Sequence, residues 1–257
     1  MADDTKAARR QGLRSVASTG DSAVDRVTAE VRRAVLHGTL APGSTFSIAE
    51  LSTQLEVSHI PVREALRRLE AQGLIVLRPG RSAMVSPLHR DELRAIYRLR
   101  QLIEPDLAAR ACPLLTPADL ARAESLLAAY GTGSDNADDL WSTHHDLHLV
   151  LMRPAASEWD LRLLNQLWHA CDRYTRIVFD PYAASSHDLA SRETAHRGLL
   201  AAARSGSPAE ARLAVASHLA ENEAATLEAL AVLSAGSRGE KATTPSGTAT
   251  RSRSARS

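Results

Sequence analysis

Between residues 91 and 232 apolar side chains recur at three- and four-residue intervals, and helix breakers interrupt the pattern at short distances. The breakers are Pro113 and Pro117, the stretch 131–134, Pro154, Pro181 and Ser205-Gly206-Ser207-Pro208. They divide this half into six predicted helices near 91–111, 117–131, 136–152, 157–179, 186–204 and 208–232. Short connections make sequential helices antiparallel neighbours, so the expectation is an all-α bundle of about six helices. Pro105 falls inside the first helix and predicts a kink there. Aromatic residues are only 4% of the chain, so Leu, Ala, Val and Ile must fill the core, a composition that favours helix over sheet.

The front of the chain has a different grain. Val24, Val27, Val31, Val35 and Leu36 mark one face of a helix that Gly38 ends. Pro42-Gly43 makes a turn, and Ser47 caps a short helix through Leu55. Ser58 is placed to cap a third helix bearing Ile60, Val62, Ala65, Leu66 and Leu69 on its apolar face and stopping at Gly73. Leu74–Leu77 and Ala83–Val85 flank the tight turn Arg78-Pro79-Gly80-Arg81 and read as a hairpin. The expected fold is therefore mainly α: a winged helix-turn-helix at 22–86, a linker at 87–90 and the bundle at 91–233. Residues 1–21 and 234–257 are poor in large apolar groups and are expected to form a disordered arm and tail.

Chemistry follows from placement. The N-terminal residues of a second helix in such a unit meet base edges in the major groove, which singles out Ser58, His59, Pro61 and Arg63. Arg63 can fork onto guanine O6 and N7. Arg67 lies one turn on, and Arg78, Gly80 and Arg81 form a wing within reach of backbone or minor groove. Residues 1–90 hold 13 Lys/Arg against 9 Asp/Glu, whereas residues 91–232 hold 13 against 20, so the basic end is the one suited to a polyanion. Two cysteines cannot form a disulfide framework, and the polar N-terminus and short apolar runs point to a cytoplasmic chain without a membrane partner.

Residues 23–86 resemble the winged helix-turn-helix of the GntR family of bacterial transcription regulators. The likeness rests on Gly38-Thr39-Leu40-Ala41-Pro42-Gly43, Leu51-Ser52-Thr53-Gln54-Leu55-Glu56-Val57-Ser58, and above all Pro61-Val62-Arg63-Glu64-Ala65-Leu66-Arg67-Arg68-Leu69. His59 departs from the arginine the family often has there, which implies a different preference at one operator base.

In the second half four histidines stand out. His144 and His148 are four apart and share a helix face. His196 and His218 lie nine and ten residues from the ends of the Ser205–Pro208 turn, which sets them at nearly equal height on an antiparallel pair. Facing imidazoles on several helices suit a divalent metal. His145 competes with His144 for the place beside His148, and surface or core histidines are the simpler alternative.

Residues 91–232 also resemble the FCD effector domain of the FadR subfamily, through Arg98-Leu99-Arg100 with Glu104, Leu147-His148, Thr194-Ala195-His196-Arg197-Gly198-Leu199-Leu200 and Ser217-His218-Leu219. The resemblance implies a divalent metal held by an Asp and three His, with His144 standing where the Asp is usual. Four imidazoles carry no charge, which favours zinc or nickel over magnesium. It further implies a small organic acid effector, with Arg100 as a second anion clamp or else a partner of Glu104, and a homodimer reading a near-palindromic operator. Two functions emerge: a DNA-binding repressor modulated by a small carboxylate, and a metal-dependent hydrolase or lyase. The second lacks a clear general base and leaves the front domain unexplained.

Overall fold

The computed structural model describes residues 22–79, 82–132, 137–178 and 186–239. The expected arm at 1–21, wing-tip residues Gly80 and Arg81, and the chain from residue 240 onward lie outside the described residues.

Helix α1 (Ala23–Leu36) starts at Ser22, whose hydroxyl accepts the Asp25 N–H at 3.2 Å, and buries Val27, Val31, Ala34 and Val35. Gly38, at φ +72°, lets the chain reverse after it. Strand β1 (Thr45–Ser47) leads directly into α2 (Ile48–Leu55). A capping box fixes that junction, Ser47 accepting from Glu50 N at 3.0 Å and the Glu50 carboxylate from Ser47 N at 2.9 Å. Glu56 turns the chain in the left-handed region (φ 57°, ψ 41°), and α3 (His59–Ala71) follows. Strands β2 (Ile75–Arg78) and β3 (Ser82–Val85) complete an antiparallel sheet ordered β1-β3-β2, with Thr45 opposite Met84 and Ile75 opposite Val85.

Two details differ from the sequence reading. Strand β1 was not foreseen, because three residues carry no periodicity and become a strand only through pairing with β3. Ile60 does not belong to the buried face of α3. Val62, Ala65, Leu66 and Leu69 form that stripe, and Ile60, two residues before Val62, is rotated about 200° away and is 81% exposed.

The remaining helices are α4 (Arg90–Ala111), α5 (Pro117–Thr132), α6 (Ala137–Met152), α7 (Glu158–Val178), α8 (Ser186–Arg204) and α9 (Pro208–Gly239). Helix α4 runs through Pro105 without interruption and packs along α9. Leu93, Tyr97, Leu107, Leu147, Leu164, Tyr174 and Leu219 are buried together at the centre. Helix α9 continues to Gly239, past the expected limit at residue 233, since extending an established helix adds one hydrogen bond per residue fixed. Among the described residues no helix is long and apolar enough to cross a membrane.

The two halves touch. Helix α1 packs on α7. The Tyr174 hydroxyl donates to Glu92 at 2.6 Å and accepts the His89 N–H at 3.3 Å, while Arg173 pairs with Glu92 and donates to the Pro87 carbonyl at 3.3 Å. Tyr174 thus anchors the linker.

Candidate metal centre and nucleic-acid interface

Helices α6, α8 and α9 bring His144, His148, His196 and His218 together, each offering one ring nitrogen, with all four nitrogens within 4.8 Å of one another. His148 Nε2 and His196 Nε2 are 3.3 Å apart, and the His196 and His218 rings lie 4.7 Å apart, as their equal distances from the α8–α9 turn predict. His148, His196 and His218 are buried and His144 nearly so.

Burial, reinforced by the neighbouring imidazoles, holds His144, His148 and His218 well below the ordinary histidine range, so these rings are neutral at pH 7. Neutral imidazole is the form that binds a metal. His144 Nδ1 is buried without a hydrogen-bond partner among the described residues. A tetrahedral ion with bonds of about 2.0–2.1 Å needs nitrogens about 3.3–3.4 Å apart. The His148–His196 spacing already has that value, and the donor set is neutral nitrogen throughout, so the residues present fit a borderline divalent ion such as zinc or nickel.

His145 is not part of this group. Its Nε2 meets Asp172 at 3.1 Å and its ring stacks on Trp168 at 5.2 Å. His169 approaches the same carboxylate at 3.7 Å. Burial opposes the charge on Asp172, but His145, His169 and Arg176 outweigh it and hold the carboxyl far below its usual range. Asn222 Nδ2 lies 2.9 Å from His218 Nε2. Sequence reasoning missed Asp172 and Asn222. Only the four-residue step from His218 could have signalled Asn222, and only the three-residue step from His169 could have signalled Asp172.

A small cleft opens beside His144 and His148, lined also by Tyr97, Arg100, Trp141, Trp168, Asp172 and Asn222. Both alternatives for Arg100 meet here. It lines the cleft, and it is paired with Glu104 at 2.6 Å, itself bound by the Trp168 N–H at 3.0 Å. Burial disfavours the Arg100 charge, yet Glu104 overcomes this and keeps the guanidinium charged.

On the front domain Ser58, His59, Arg63 and Arg67 are exposed along one side of α3, and Pro61 sits in its first turn. Ser58 occupies the N-cap position but makes no side-chain capping bond, contrary to expectation, which leaves its hydroxyl available. Arg78 is exposed at the end of β2, with Nη2 2.9 Å from Met84 Sδ.

A winged helix-turn-helix joined to a helical domain with its own cleft defines a DNA-binding regulator. Residues 23–85 match the model of "bacterial regulatory proteins, gntR family", and residues 95–221 match the FCD domain. The chain is 30% identical over 152 residues to the HTH-type transcriptional repressor RspR of Escherichia coli K12, covering 58% of this chain and 67% of that protein. It is similar in fold to E. coli McbR/YncC (TM-score 0.67, 24% identity, 81% of this chain and 98% of that one). A GntR transcriptional regulator from Rhodococcus sp. RHA1 has the same fold (TM-score 0.64, 21% identity, 81% and 99%). This chain belongs to the gntR family of bacterial regulatory proteins, with an FCD domain as its second half. That is a family of DNA-binding transcriptional regulators rather than of enzymes, so the hydrolase or lyase alternative falls.

Proposed function

We propose that the chain is a metal-dependent repressor whose operator binding is modulated by a small carboxylate held in the FCD domain. The observation that carries this reading is the four-imidazole cluster beside the cleft, three of its rings buried. His144, His148, His196 and His218 would hold the ion, zinc or nickel. When bound, it supplies a positive centre that attracts a carboxylate. Arg100, fixed by Glu104, contributes a guanidinium to the same wall.

On the reading head, Arg63 contacts a guanine edge, Ser58 and Arg67 contact phosphate, His59 and Pro61 shape the approach of the helix, and Arg78, Gly80 and Arg81 contact the DNA backbone or minor groove. A homodimer places two such heads on a near-palindromic operator. Repression is favoured over activation because RspR and the galactonate operon regulator of E. coli are named as repressors. An inducing effector must bind the DNA-free arrangement more tightly than the DNA-bound one.

The test is fluorescence anisotropy of the full chain on DNA from upstream of its own gene, together with elemental analysis of purified protein. The reading requires specific, salt-sensitive binding and about one zinc or nickel per chain. Protein that takes up neither metal refutes the metal-dependent part, and equal affinity for unrelated DNA refutes the operator part.

A further inference from the structure

The charges around the cleft leave no spare anion for a metal. Three cations, Arg100, Arg176 and Arg32, face two anions, Glu104 and Asp172, so their formal sum is +1 before any metal binds. Arg176 belongs to this count because it acts on Asp172 and lies over the Trp141 ring, 5.5 Å from its centroid. The four proposed ligands are neutral imidazoles with no carboxylate among them. A divalent ion therefore brings two positive charges that no protein group offsets, in a place where uncompensated charge is costly. The cleft also holds an unused donor: the Tyr97 hydroxyl is fully buried and lies beside Cys171 and Thr226 without a hydrogen bond of normal geometry.

We infer that the effector is a small dicarboxylate, one carboxylate directed to the metal and the other accepting a hydrogen bond from Tyr97. This rests on the metal reading above and deepens it. His144 sets the preference, because a carboxylate in its place would remove one of the two uncompensated charges. Tyr97 selects for length, since it lines the same cleft as His144 and His148.

Calorimetry on the zinc-loaded full chain compares malonate and succinate with acetate, propionate and inorganic phosphate. The better dicarboxylate should bind about tenfold tighter than either monocarboxylate, the worth of one partly screened charge. Tyr97→Phe should lose most of that advantage while zinc content and acetate affinity stay unchanged. His144→Asp should narrow the ratio with zinc retained. Monocarboxylates binding as tightly as dicarboxylates overturn the charge argument, and phosphate matching the dicarboxylates overturns the assignment to a carboxylic acid. A wild-type chain that takes up no zinc fails both this inference and the reading beneath it, whereas zinc uptake without dicarboxylate preference fails this inference alone.

A second inference comes from a separate observation. Ile60 is 81% exposed in the first turn of α3, between His59 and Pro61 and one turn before Arg63. A large apolar side chain held in water at the major-groove end of a recognition helix matches one feature of DNA, the thymine methyl group. We propose that Ile60 reads a thymine in each half-site. In selection from random DNA the wild type should fix T at one position, and Ile60→Ala should accept any base there. Replacing that thymine by uracil, which lacks only the methyl, should weaken the wild type several-fold and leave Ile60→Ala unaffected. Identical selected sites for both proteins, or indifference of the wild type to uracil, overturn the proposal.

Discussion

The two domains bury different things. The core of the winged helix is largely aliphatic, with Val27, Val31, Leu51, Leu55, Leu66 and Leu69 at 2% exposure or less; its one buried charge among the described residues is Glu30, paired with Arg33, and the α3 arginines Arg63, Arg67 and Arg68 are exposed. The FCD domain buries Arg100, Glu104, Asp172, Arg173 and three imidazoles among its leucines. The first domain is held by apolar burial and meets its ligand on the surface. The second keeps costly polar groups inside, where each needs a partner. A reading head can be a passive shape, whereas a sensor must contain the instability that its ligand relieves.

The largest test of this contrast is Glu104→Gln, which strips the buried Arg100 of its carboxylate and should cost about 3–5 kcal/mol. Trp141, Trp159 and Trp168 are the only tryptophans and all lie in the FCD domain, so denaturation followed by their fluorescence reads this domain alone. A loss below 1 kcal/mol, roughly what a surface pair is worth, would remove the contrast.

Next comes the metal. Zinc at a hundredfold excess over its Kd should stabilise the FCD domain by about 2.7 kcal/mol, and His196→Ala and His218→Ala should each abolish the gain. His145→Ala should leave metal content intact. Metal-free protein should also be acid-sensitive. The folded-state values of His144, His148 and His218 lie below the unfolded value, so from about pH 6.5 downward the unfolded chain binds more protons. Stability contributed by these groups is complete above that pH and is lost as pH falls. A flat unfolding midpoint between pH 7 and 5 would contradict the burial described.

On the head the expected effects are smaller and concern binding. Arg63→Ala should cost about 1–3 kcal/mol on operator DNA with unchanged folding, checked by anisotropy and circular dichroism. Least of all, Glu56→Gly should stabilise the head by about 1 kcal/mol, because Glu56 is held at φ 57° where glycine is unstrained. Slower amide exchange in α2 and α3 would report it.

Most of the architecture was legible in the sequence because breakers and apolar periodicity are local. The ends of the bundle helices fall within a residue or two of their expected places, except where α9 runs on through small residues that mark neither helix nor coil. The histidine cluster was legible for a related reason: one pair is set by the helical repeat and the other by distance from a shared turn. Strand β1, Asp172 and the Trp168 bond to Glu104 were not legible. The strand and the tryptophan bond depend on partners dozens of residues away, as does the closer of the two histidines on Asp172, His145, and no spacing rule carries that information. The exposure of Ile60 was hidden differently, since an apolar residue next to an apolar stripe is indistinguishable from a member of it until the helix phase is fixed.

The four clustered histidines are spread over 75 residues of chain, and the last of them, His218, lies within α9, the last helix among the described residues. During synthesis a chain that ends before α9 holds at most three of the four, and one that ends before α8 holds two on a single helix. Full ligation therefore has to await the arrival of the C-terminal helix. The centre then acts as a completion mark: truncated chains with a finished reading head, able to occupy DNA but not to sense, would differ from whole ones in how firmly they retain an ion, which makes metal retention a measure of chain integrity as well as of sensing.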